Sequence, residues 1–112
     1  MEKNTKEIQI INHLIQKHIE AIKREDVKRQ DKELDYLLIK EAIEALVREY
    51  KISSNPRTKK YLMKSMIEAN ESLFAYLINI NKYDNKILEL YAMLDEFIYS
   101  WQYKKSLPLN LT

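Results

Sequence analysis

At 112 residues with a formal net charge of +2, 46% hydrophobic and 32% charged, the chain is sized for one folded domain over residues 1–112 and is too near neutrality for a uniformly basic nucleic-acid binder. It has no cysteine, which excludes disulfides, thiolate metal sites and cysteine nucleophiles and fits a reducing, cytoplasmic location. It also has no glycine, so phosphate-cradling loops, nucleophile elbows and dinucleotide fingerprints are excluded as well.

The N-terminal MEKNTKEIQ turns charged where a signal peptide needs its apolar core. No apolar run approaches the roughly 18 residues of a membrane span, so no membrane partner is expected. Isoleucine, lysine, asparagine and tyrosine are abundant, all residues of AT-rich codons. That points to a low-GC genome, such as that of a virus or a plasmid.

Four helical segments follow from the periodicity. The first runs from about Thr5, its N-cap, to about Glu25. Ile8, Ile11, Ile15, His18 and Ile22 recur there at steps of three and four. Residues 23–33 (KREDVKRQDKE) have Val27 as their one apolar member and read as a break, with Asp26 or Asp31 capping the next helix. The second helix, from about Asp31 to Ile52, is apolar almost all round, through Leu34, Leu37, Leu38, Ile39, Ile43, Leu46, Val47 and Tyr50. Glu41, Glu44, Arg48 and Lys51 form its narrow polar strip. So little polar surface predicts the most buried helix of a bundle.

Ser53-Ser54-Asn55-Pro56 breaks the chain. Asn55 is a strong N-cap, and Pro56 suits the first helical position, where its missing N–H is no loss. The third helix carries Leu62, Met66, Ala69, Leu73, Tyr76 and Ile80 on one stripe. Residues 79–85 read as a turn, with Asp84 capping a fourth helix whose stripe is Ile87, Leu90, Leu94, Phe97 and Trp101. That helix ends near Lys105, and residues 106–112 form a short tail. The fold class expected is all-α, a three- to four-helix bundle with shallow crossings and the second helix most buried.

Catalytic chemistry finds little support in this pattern. His13 and His18 are five residues apart, about 140° around a helix, and cannot clamp one metal. No Glu-x-x-His pair is present for a di-iron centre. The carboxylates Asp95 and Glu96 lie on different sides of their helix, and Glu41 and Glu44 face outward. The serines stand at turns and helix ends without a histidine nearby. No catalytic residue, metal or cofactor is therefore expected, and the chain reads as a non-enzymatic protein. His18, on an apolar stripe, is expected to be partly buried and bonded to a carbonyl.

Two surfaces remain. Arg57, Lys59, Lys60 and Lys64 crowd the start of the third helix, where positive charge opposes the helix dipole and free N–H groups attract phosphate. Residues 46–64, from LVREYKIS onward, resemble a helix-turn-helix, the resemblance spanning about twenty residues. Lys51 stands where that motif's turn usually has glycine, and Arg57 where its second helix usually buries an apolar side chain. The resemblance implies a small DNA- or RNA-binding regulator. The other surface is aromatic: Tyr99, Trp101 and Tyr103 with the apolar tail, which would form a partner-binding patch. The surplus of apolar helix surface favours a protein-interaction module, a homo-oligomer or the binder of another protein, over the nucleic-acid regulator.

Overall fold

The structure, a computed structural model, describes residues 5–24 and 29–106, with side chains described within 5–24 and 32–101. Its elements are four helices: α1 (Thr5–Lys23), α2 (Arg29–Ile52), α3 (Pro56–Asn79) and α4 (Asn85–Ser106). No strand occurs among the described residues. The all-α bundle expected from the periodicity is the fold.

The turns are built without left-handed backbone: no described residue has positive φ. Asparagine, aspartate and serine side chains do the turning instead. The Asn55 backbone is extended at φ −90° and ψ 115°, and its Oδ1 accepts from the N–H groups of Arg57 and Thr58 at 2.9 and 3.4 Å. Pro56 follows as the first helical residue. Between α3 and α4, the N–H groups of Ile80 and Asn81 both return to the Tyr76 carbonyl. Asn81 Oδ1 then accepts from the Tyr83 N–H at 3.0 Å, and Asp84 caps α4 by accepting from the Ile87 N–H at 3.1 Å. The caps predicted at Asn55 and Asp84 are in place, whereas Thr5, expected as the N-cap of α1, is its first helical residue. α1 ends and α2 begins about two residues earlier than expected, so Asp31 lies inside α2. Asp26 and the rest of residues 25–28 fall outside the described residues, as does the tail from residue 107 onward.

Successive helices alternate in direction. His18 of α1 meets Asp35 near the start of α2. Asn12 and Gln16 of α1 bond Glu68 and Ser72 of α3, in matching order. Phe74 stacks on Tyr91 across α3 and α4, and Asn70 bonds Asp95 one turn further along, in reversed order. α2 and α3 each touch all three other helices, whereas α1 and α4 do not touch among the described residues. The cross-section is therefore a rhombus with α2 and α3 on its short diagonal. With extents of 50 × 33 × 17 Å the molecule is a flat slab.

The core joins Ile8, Ile15, Ile19 and Ile22 of α1 to apolar residues of the other three helices. α3, not α2, buries the most: Leu62, Met63, Ser65, Met66, Ala69, Leu73, Tyr76 and Leu77. Among the described side chains of α2 only Ile39, Ile43, Leu46 and Tyr50 are buried. The expectation of a most-buried second helix fails for a geometric reason. Three helices cover α2 on its inner side and flanks, and no described residue covers the outer side. Two further stripe assignments shift. Ile80 is the C-cap residue of α3 and is exposed, while Ile98 takes the core position at the far end of α4, leaving Phe97 half-buried.

Candidate interaction surfaces

The polar centre of the molecule is Asp84, buried at the N-terminus of α4. The Tyr36 hydroxyl of α2 donates to its Oδ2 at 2.5 Å and the Tyr76 hydroxyl of α3 donates to the same oxygen at 2.8 Å. Burial, reinforced by the Asp84 carboxylate, holds both phenols well above the ordinary tyrosine value of 10.0. One carboxylate thus ties three helices together at one end. Lys86 bonds Glu33 beside it and lies over the Tyr36 ring. The arrangement is a clasp.

His18 is part-buried, but it meets the Asp35 carboxylate at 2.7 Å, not a carbonyl. The sequence offered no way to see this, since the partner lies across the α1–α2 turn. His13 is exposed. No group of three His, Asp or Glu side chains is placed to hold a metal among the described residues.

Arg57, Lys60 and Lys64 are exposed on one face of α3, as their spacing predicts. Lys59 is not with them. It is half-buried and lies over the rings of Tyr50 and Trp101, with its ammonium 5.0 and 5.7 Å from their centroids. The helix terminus itself is occupied. Pro56 has no N–H, and those of Arg57 and Thr58 are bonded to Asn55, so an anion would find only side chains here. Glu68 and Glu71 border the same groove one and two turns on. The turn also departs from a helix-turn-helix. α2 and α3 stay side by side along their length, from the Lys59–Tyr50 contact at one end to Tyr36 and Tyr76 on Asp84 at the other. A helix-turn-helix would set them at about 90–120°.

The aromatic patch divides. Trp101 packs edge-on to Tyr50, with centroids 5.5 Å apart, and beside Phe97 at 5.8 Å. Tyr99, two residues away, is 61% exposed on the other side of α4. The side chain of Tyr103 lies outside those described. Tyr99 and Trp101 therefore do not share a patch.

The sequence reading did not assign the uncovered apolar surface to α2. Leu34, Leu37 and Ile52 are 58%, 50% and 64% exposed along its outer face. Between α2 and α4 a recess is floored by Val47, Met93 and Phe97 and rimmed by Glu44, Lys51 and Glu96. The opposite face of the slab exposes Phe74, Ile78 and Leu88.

No protein-family model, curated protein or solved structure matches the chain. No helix among the described residues is long and apolar enough to cross a membrane.

Proposed function

We propose that this chain is a non-enzymatic protein-interaction module that associates with itself. The observation that carries this reading is the outer face of α2, where Leu34, Leu37 and Ile52 stand in solvent although α2 is central to the fold. Isolated exposed apolar residues are ordinary on a protein surface, but these three share one side of a helix with the exposed charges Glu41, Glu44 and Arg48 between them, and a side that combines the two suits a contact surface. The slab shape supports the reading, because it exposes two broad faces and leaves α1 and α4 apart. The test is light scattering across micromolar concentrations. A mass that stays at 13.5 kDa overturns the proposal, and a concentration-dependent rise supports it.

A second reading, a small nucleic-acid-binding regulator, draws on the exposed Arg57, Lys60 and Lys64 alone. Binding of a generic duplex at low salt, with a steep loss of affinity as salt rises, would favour it. Failure to retain such a duplex at about 50 mM salt, where counterion release makes phosphate contacts strongest, would remove it.

A further inference from the structure

Along the exposed side of α2, past Lys40 at the flank beside Lys86, the charges run acid, acid, base, base: Glu41, Glu44, Arg48, Lys51, at steps of three, four and three. Glu44 and Arg48 have the spacing of an ion pair within one helix, yet neither they nor Glu41 forms an ion pair among the described residues. Lys51 rests over the Phe97 ring at 5.7 Å, at the margin of the strip. The order is complementary to its own reversal about residue 46. We infer that α2 is the dimer surface and that two copies pair through it antiparallel, with the twofold axis level with residue 46. This rests on the self-association proposed above and names its contact.

In that register Glu44 faces Arg48 of the second copy, Glu41 comes level with its Lys51, and the symmetry repeats each pair. Leu37 lies three residues along the axis from the level of Ile52 of the second copy, about 4.5 Å at 1.5 Å per residue. An uncovered leucine and an uncovered isoleucine thus come within one turn of each other. A parallel pairing would set each residue against its own copy, Glu44 on Glu44 and Arg48 on Arg48. Like charges facing across an interface exclude a partner as firmly as complementary ones select it. The face of Phe74, Ile78 and Leu88 carries no comparable charge order, which is why α2 is assigned the contact.

The experiment uses two single variants of the full chain, Glu44→Arg and Arg48→Glu, followed by sedimentation equilibrium. Both positions are exposed, and circular dichroism checks that the fold is kept. Each variant alone faces like charge twice across the axis, and its dimer dissociation constant should rise by about tenfold or more. Mixed in equal amounts, the two should form a heterodimer near wild-type affinity, because arginine pairs now meet glutamate pairs. The double variant Glu44→Arg/Arg48→Glu should also recover. Wild-type association that neither single variant weakens overturns the α2 contact but leaves self-association standing. Singles that weaken without recovery in the mixture overturn the antiparallel register. A wild-type chain that stays monomeric removes both readings together.

Discussion

At the scale of single residues, Asp84 does the most with the fewest atoms. Its carboxylate caps α4 and takes hydroxyl donors from α2 and α3. Removing it in Asp84→Ala deletes a cap and strands two part-buried hydroxyls, and should destabilise the fold by about 2–4 kcal/mol in denaturant unfolding. Asp84→Asn keeps an acceptor for the Ile87 N–H and should lose clearly less. The same clasp sets an alkaline limit. Tyr36 and Tyr76 have folded pKa values raised above their unfolded value of 10.0, so their protonated forms contribute stability that is full below pH 10. As pH climbs past 10 the unfolded chain gives up protons that the native chain keeps, and stability must fall. Thermal melts between pH 9 and pH 11 should show this decline, and Tyr36→Phe should flatten it.

At the scale of helices, what could be read from the sequence was what is local. Asn55 and Pro56 announce the start of α3 because a cap and an N1 proline need only their immediate neighbours. Asp84 does the same for α4. Replacing Asn55 with alanine should cost about 1 kcal/mol, the usual value of an N-cap side chain. Changing Arg57, Lys60 and Lys64 together to alanine should leave stability unchanged or raise it, by up to about 0.3–1 kcal/mol for each charge nearest the helix start. A lowered melting temperature would mean that these side chains hold the fold in a way their exposure does not suggest. What was illegible is non-local. Tyr36 and Asp84 are 48 residues apart and His18 and Asp35 are 17 apart, and no spacing rule joins them. Lys59 looked like a member of the basic cluster by position. Only the arrival of Trp101 from the far end of α4 turns it inward.

At the scale of the whole molecule, the count of apolar residues was legible and their allocation was not. The sequence shows α2 to be apolar nearly all round, and the natural inference is burial. The rhombic packing contradicts it, because two helices share the short diagonal and each has a side that points away from the others. Which residues each helix turns to that side depends on all four helices at once. α3 turns Arg57, Lys60 and Lys64 outward over its first two turns and Phe74 and Ile78 near its end, and α2 turns Leu34, Leu37 and Ile52 outward around Glu41, Glu44 and Arg48. Native-state hydrogen exchange should follow this geometry, since protection tracks packed apolar contacts. The central turns of α3 should exchange most slowly, and α1, which has no contact with α4 among the described residues, should exchange faster. Equal protection in α1 and α3 would contradict the packing order.

The cluster where α4 meets the end of α2 has an optical consequence. Trp101 is the sole tryptophan of the chain, and it sits among Tyr50, Phe97 and the Lys59 ammonium. Its fluorescence therefore reports one corner of the slab rather than the average of the molecule. Unlatching of that corner should shift the emission to longer wavelength while helical circular dichroism is still intact. The gap between the two midpoints would then measure how independently the last turns of α4 let go.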